Sequence, residues 1–378
     1  MRTRIKFIAA GSALVLLAAA LYGVPKVLRR MDMQGLRTVT VAQGLDNPWG
    51  LAFLPDGRML VTERPGRMRL VERDGRLSEP LAGLPPVYAQ GEGGLLDVVL
   101  DPAFAGNGRL YWSYSEPDPA GGPGSSTAVA AGRLRGDRID GVEVLFRQAD
   151  KVDNSSHYGS RLLFAPDGSL FVTLGDRSRR ADAQDPGSAH GKLLRLDTQG
   201  GAPKDNPFVG VPGALPQVWT LGHRNVQGAA FDPASGDLWV SEHGPQGGDE
   251  LNRIVRGHNY GWPVVTYGCE YVTCAKIGEG TAKEGMDQPV VQWSPAIAPT
   301  GMIFLSSDRY PGWKGDLFIG MLQGRALLRV RLAQGKVIEE QRVLTGLMDR
   351  VRDVRQGPDG WLYILVGRDQ GRILRVER

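Results

Sequence analysis

The chain has 378 residues with 52 glycines, 25 prolines and a hydrophobic share of 42%, which suits many tight turns around a sizeable core and excludes a disordered or mainly helical protein. The net charge of +4 is local, because six of the 45 Lys and Arg fall in residues 1–30, where there is no Asp or Glu. The remaining 39 face 41 acidic residues, so charge gives a nucleic-acid partner no foothold.

Residues 7–24 form an uncharged, largely apolar run behind Arg2, Arg4 and Lys6, with Lys26, Arg29 and Arg30 after it. This layout predicts an export helix within residues 1–30, with the alanines at 18–20 as a small-residue cleavage site. The run also just reaches spanning length, so it serves as a cleaved signal or as a retained membrane anchor. The expected location is the periplasm, and this helix is the one membrane contact expected.

From residue 36 onward one pattern recurs six times: an apolar strand, a turn built on Pro, Asp or Gly, and a second apolar strand. The copies fall at residues 51–61, 98–112, 162–172, 230–240, 302–319 and 354–364. After each comes a strand with Arg among aliphatics, at 67–71, 132–135, 192–196, 251–255, 327–331 and 372–376. Short antiparallel strands repeating at this period predict an all-β fold. The expected architecture is a six-bladed β-propeller of antiparallel four-stranded blades over residues 36–378.

Hairpin arithmetic then places side chains. His157 lies nine residues before Pro166, and Asp176 nine after Asp167, so the two meet at the end of the third hairpin away from its turn. A carboxylate beside an imidazole fixes its tautomer and raises its basicity, as general-base work requires. A capped structural histidine is the alternative. In the fourth hairpin Arg224 falls opposite Pro245, and Arg350 and Arg352 precede the sixth turn by similar distances. These groups, with Gly244, gather on the rim opposite the Pro-Asp-Gly turns. Several guanidinium groups on one rim predict a ligand with several negative charges. The alternative is a set of solvated arginines paired with Asp349 and Asp353.

Gly244 and Pro245 can offer only backbone carbonyls, which calcium accepts, and Glu250 with the backbone of Tyr260 could hold a second, structural calcium. A tight turn with Glu250 solvated is the other possibility. Cys269 and Cys274 either close a small loop disulfide in an oxidising compartment or stay as free thiols.

The motifs Gly93-Gly-Leu-Leu-Asp97 with Pro102 and Phe104, His157 through Gly175-Asp176, and Gly191-Lys-Leu-Leu-Arg-Leu196 open a longer series. It continues with Gly222-His-Arg-Asn-Val-Gln-Gly228, Glu242-His-Gly-Pro245, Asp249-Glu-Leu-Asn252, Asn259-Tyr-Gly-Trp-Pro263 and Arg350-Val-Arg-Asp353. In order and spacing the chain from about Leu45 onward resembles the soluble quinoprotein sugar dehydrogenases, most closely the periplasmic PQQ-dependent aldose sugar dehydrogenases. The resemblance implies pyrroloquinoline quinone (PQQ), a tricarboxylated ortho-quinone, and calcium at the top of the propeller axis. It implies that His157 takes the proton of an aldose's anomeric hydroxyl while a hydride passes to PQQ, giving a lactone. Asp176 would orient His157. Arg224 and Asn225 would contact the quinone, with Arg224 stabilising the charge that develops there. The carbonyls of Gly244 and Pro245 would hold the calcium, and Tyr271, Arg350 and Arg352 the rest of PQQ. Electrons would leave to a quinone or another periplasmic acceptor.

Two positions depart from the family pattern. Glu92 stands before Gly-Gly-Leu-Leu where Gln is usual, and Gln323 stands where some relatives place Lys against a PQQ carboxylate, with Arg325 nearby. Together they predict weaker PQQ binding or a scaffold that has lost the activity. Two further readings fit a six-bladed propeller. One is a calcium-dependent lactonase or esterase, with side-chain Glu, Asn and Asp around an axial metal. The other is a non-catalytic propeller that binds glycans or proteins. The loops between Pro263 and Pro299 are expected to shape the sugar pocket.

Overall fold

The computed structural model describes residues 35–378, so the expected export helix lies outside it. After β1 (Arg37–Leu45) the chain lays down six antiparallel sheets in succession. Blade 1 holds β2 (Pro48–Phe53), β3 (Met59–Glu63) and β4 (Arg67–Val71). Blade 2 holds β5 (Leu95–Leu100), β6 (Arg109–Pro117), β7 (Ser125–Arg135) and β8 (Arg138–Arg147). Blade 3 holds β9 (Leu162–Phe164), β10 (Leu170–Leu174), β11 (Lys192–Leu196) and β12 (Val218–Leu221). Blade 4 holds β13 (Val226–Phe231), β14 (Leu238–Glu242), β15 (Asp249–Ile254) and β16 (Val291–Trp293). Blade 5 holds β17 (Pro299–Phe304), β18 (Leu317–Met321), β19 (Leu327–Ala333) and β20 (Lys336–Val343). Blade 6 holds β21 (Val351–Gln356), β22 (Leu362–Val366) and β23 (Gly371–Glu377), and β1 completes it.

Each of the six repeated hairpins forms the two inner strands of one blade, and each arginine-bearing segment falls in a third strand. The arginines have a defined task. Arg195, Arg253, Arg329 and Arg375 stand opposite the aromatic residues Phe171, Trp239, Phe318 and Tyr363 of the second strands. All four reach back to a carboxylate at the hairpin turn: Arg195 to Asp167, Arg253 to Asp237, Arg329 to Asp316 and, at 3.9 Å, Arg375 to Asp359. One residue type thus ties a third strand to the turn rim.

Blade 1 differs from expectation, with three regular strands in place of four. Its outer position is taken by irregular chain in which Ser78 N–H and Leu81 N–H donate to the Leu70 and Met68 carbonyls. Pro80, between them, has no N–H to give, and the ladder loses its regular spacing there.

The apolar core is distributed between blades. Ala52, Leu60 and Met68 of blade 1 pack on Val98, Trp112 and Ala130 of blade 2. Similar clusters fill every other interface around the ring, including that of blade 6 with blade 1, where Leu45, Leu51 and Leu365 meet. Among the described residues no helix is long and apolar enough to cross a membrane.

Candidate active site

The shaft of the ring is closed by charge. Asp97 on β5 and Asp353 on β21 are both buried, and both pair with Arg161 at 3.1 and 3.2 Å and with Arg355 at 2.9 and 2.8 Å. A Cβ at Gly50 or Gly301 would collide with these carboxylates, so glycine is needed on the inner strands that pass them. Burial works against the Arg355 cation, but the two carboxylates more than offset it and hold its pKa above the ordinary value.

Beside this neutral plug, at the rim opposite the Pro-Asp-Gly turns, lies a cavity of about 300 Å³. Its polar lining includes Arg64, Glu92, Asn225, His243, Arg350, Arg352 and Arg368. None of its four arginines makes an ion pair among the described residues; Arg352 reaches only the Gln227 side chain, at 3.1 Å. Burial, then the repulsion of Arg350 and Arg64, pulls Arg352 down to about 9. Burial followed by neighbouring arginines lowers Arg350 too, and burial lowers Arg64. Four like charges share one hollow with a single carboxylate, Glu92. Burial opposes ionisation of Glu92, but His157, His243 and Arg352 outweigh it and hold the carboxyl below its ordinary range. The Glu92 carboxylate is therefore ionised, and it accepts the backbone N–H of His157 at 2.7 Å.

His157 and Asp176 meet as the hairpin count predicts, with Nδ1 and Oδ1 2.7 Å apart. The other oxygen of Asp176 accepts the Trp262 indole N–H at 2.7 Å, and Ser178 N–H donates to Oδ1 at 2.9 Å. Asp176 is fully buried, while the His157 side chain keeps 16% of its surface. Burial pushes the Asp176 carboxyl up, but its hydrogen bond to His157, the charge of that ring, the Ser178 N–H and Arg224 more than compensate and hold it low. Nδ1 is committed to Asp176, which leaves Nε2 as the nitrogen available for chemistry. His157 itself has a φ of 57°, in the left-handed region that a β-carbon disfavours. The surroundings enforce it. Arg177, wholly buried, donates to the carbonyls of Ser156 and Asn154 and stacks 3.6 Å over the Tyr158 ring.

Arg224 donates to the carbonyls of Gly244 at 2.6 Å and His243 at 3.1 Å, and lies 5.4 Å over the Trp262 ring. The carbonyl of Gly244 already faces one cation and retains a second lone pair. Asn225 accepts the Gly159 N–H at 3.1 Å and lines the cavity. Glu250 is not solvated as a plain turn would have it. It stands opposite Glu242 in the β14–β15 ladder, and with Tyr260 lines a small second cavity. Burial, then Glu242, pushes Glu250 up to about 8.

Of the expected site residues, His157 and Asp176 stand behind the wall, joined to it by the bond from His157 N–H to Glu92, and Pro245, Tyr271 and Gln323 line neither cavity. Tyr271, 57% exposed, lies on the surface loop closed by the Cys269–Cys274 disulfide. Gln323 is exposed beyond β18, where its neighbour Leu322 is the lining residue. Conversely, Arg64, Arg368, His243, Trp262 and Arg177 were not legible as site residues. For Arg368 a signal existed, since it follows Asp359 by the same nine residues that separate Asp176 from Asp167.

The molecule is thus a six-bladed propeller with a histidine–carboxylate dyad beside an under-neutralised arginine cavity. The model of the Glucose / Sorbosone dehydrogenase family matches residues 45–375, and the chain belongs to that family. It is 44% identical over 368 residues to the aldose sugar dehydrogenase YliI of Escherichia coli (strain K12), covering 96% of each chain. The soluble aldose sugar dehydrogenase (Asd) from Escherichia coli, solved in the apo-form, superposes with a TM-score of 0.87 at 43% identity, over 90% of this chain and 99% of that one. The PQQ-bound form of the aldose sugar dehydrogenase from Streptomyces coelicolor superposes with a TM-score of 0.74 at 31% identity, over 91% and 98% of the two chains.

Proposed function

We propose that the chain oxidises aldose sugars at the anomeric carbon to lactones, with PQQ as oxidant and calcium as its electrostatic partner. The observation that carries this reading is the pairing of the His157–Asp176 dyad with a cavity of four unpaired arginines. The residues present fit the cofactor. Four guanidinium groups less the Glu92 charge leave three positive charges, which the three carboxylates of PQQ would balance. PQQ supplies a two-electron acceptor for the C1 hydrogen as hydride, and calcium on the Gly244 and Pro245 carbonyls would polarise it. His157 Nε2 receives the proton of the C1 hydroxyl, so that the C1–O bond becomes the lactone carbonyl. Asp176 keeps the tautomer that exposes Nε2 and stabilises the imidazolium that results. Arg224 would supply positive charge to stabilise the reduced oxidant. Arg350 and Arg352, which line the cavity, would hold the cofactor.

A metal-centred lactonase or esterase is less well supported, because Asp97 and Asp353 on the shaft are taken by Arg161 and Arg355. Glu250, facing Glu242, suits a second, structural calcium. Export to the periplasm is supported by the leader composition and by a disulfide, which persists in oxidising compartments. There the electrons would pass to a quinone or another acceptor.

The test is reconstitution. Purified protein with PQQ and calcium should reduce an artificial dye with glucose or other aldoses. His157→Ala should lower that rate by about 10²–10⁴-fold. No reduction with any aldose at saturating PQQ, or full activity in His157→Ala, would overturn the reading.

A further inference from the structure

Above, Arg64 and Arg368 enter only as part of the cavity's total charge, yet they come from blades that meet where the ring closes. Arg64 leaves the end of β3, and Arg368 follows β22. A side chamber of about 30 Å³ adjoins the main cavity there. Arg64, Arg350, Arg352 and Arg368 all line it, with Asn47 and Pro48, and no carboxylate lines it. Arg64 is held by the carbonyl oxygens of Gly93, at 3.1 Å from Nε, and of Gly91. Carbonyls fix its direction without cancelling its charge. Arg368 is exposed, and the carbonyl of its own backbone accepts the Asn47 N–H at 2.8 Å, which anchors the residue to the start of blade 1.

The contrast with the shaft is what makes the chamber informative. Arg161, fully buried, and Arg355, half-buried like Arg64, Arg350 and Arg352, each touch two carboxylates. Arginines that a fold uses for its own stability are paired in this way, because an uncompensated cation away from water is costly. Four arginines left without counter-charge around a chamber of carboxylate size are arranged for an anion that comes from outside. A planar guanidinium offers two parallel N–H groups, which match the two oxygens of a carboxylate.

We propose that Arg64 and Arg368 form a second carboxylate subsite, which grips one carboxylate of a flat tricarboxylated ligand while Arg350 and Arg352 hold another. The inference rests on the PQQ reading for the ligand's identity, but not for the subsite's charge. It also gives Glu92 a reason. Its carboxylate serves the His157 backbone and reduces the cavity's excess to the charge of one tricarboxylate. The departure from Gln is therefore compatible with firm binding of such a ligand.

The experiment is equilibrium titration of the unloaded protein, followed by tryptophan fluorescence. Two ligands are used in parallel: PQQ, and benzene-1,3,5-tricarboxylate, which is flat and trianionic but has no redox chemistry. Arg368→Gln, an exposed substitution, and Arg64→Gln should each weaken both ligands by about tenfold to a hundredfold. Arg64→Lys, which keeps the charge, should recover part of the loss. Wild-type affinity should fall with added salt more steeply than that of either neutral variant. Thermal melts of Arg368→Gln should match wild type, which separates binding from folding. Both Gln variants binding both ligands within about twofold of wild type, where a lost charged hydrogen bond costs far more, would overturn the subsite. Binding of the benzene tricarboxylate without PQQ, still weakened in the variants, would sink the cofactor reading and leave the subsite standing. Binding of neither ligand by wild type would overturn both.

Discussion

Asp176 lies between two rings and serves each with a different oxygen. Trp262 fixes the carboxylate plane, and that plane fixes the imidazole. Trp262→Phe keeps the ring and removes the N–H, so kcat should fall by about tenfold with KM little changed, the effect of one lost hydrogen bond to a charged group. Asp176→Asn removes the tautomer lock itself and should lower kcat by about 10²–10⁴-fold in the same steady-state assay. The pH dependence follows from the sign of the shift. Asp176 is held below its ordinary value of 3.8, so the stability it contributes is complete above the unfolded pKa. That contribution is lost as the pH falls through the ordinary carboxylate range and below. Melts between roughly pH 6 and pH 3 should show a steeper loss for wild type than for Asp176→Asn. The dyad was legible because both members sit on one hairpin. The Trp262 contact spans 86 positions and crosses between blades, where counting along one hairpin has no purchase. Arg177 was hidden for the same reason: its partners Ser125 and Asn154 lie outside its own hairpin.

The β14–β15 pair sets two carboxylates, Glu242 and Glu250, side by side in a buried ladder. Glu242 is already engaged by His223, at 2.8 Å, and by the Arg224 N–H, at 2.7 Å, so Glu250 is the one that keeps its proton. An acid raised to about 8 binds a proton that the unfolded chain has released above about 4.5. Metal-free protein should therefore lose stability as the pH rises across that interval. Calcium at pH 8 should raise the melting temperature, with a gain of about 2.7 kcal/mol at a hundred times Kd. Glu250→Gln should remove the pH slope and shrink the calcium response, both read by differential scanning calorimetry. A calcium response unchanged in Glu250→Gln would place the ion elsewhere. At this scale the fold was plain in the chain, because Pro-Asp-Gly turns and arginine-bearing strands each recur with a structural task. The outer edge of blade 1 was not, since Pro80 makes irregular a ladder that strand count alone would continue as a regular strand. Tyr271 and Gln323 sit on irregular loops, where no strand register carries a prediction to a place in space.

The ring is closed by its ends. β1 pairs antiparallel with β23, from Arg37 opposite Glu377 to Leu45 opposite Gly371, and carries Ala42 and Leu45 into the last interface. Removing residues before 46 should expose that interface and lower the melting temperature by roughly 10 °C, as loss of a whole strand and its buried side chains requires. Arg37→Ala, which removes only the exposed partner of the 2.7 Å pair with Glu377, should leave it almost unchanged. Circular dichroism melts of the two variants make the comparison. The closure has a consequence for how the molecule is made. The first strand synthesised must wait for the last before its edge is satisfied, so a partly made chain holds an open stack of blades that is easily unravelled. If the chain is exported as a thread, as proposed, the latch engages only once the final residues have come through.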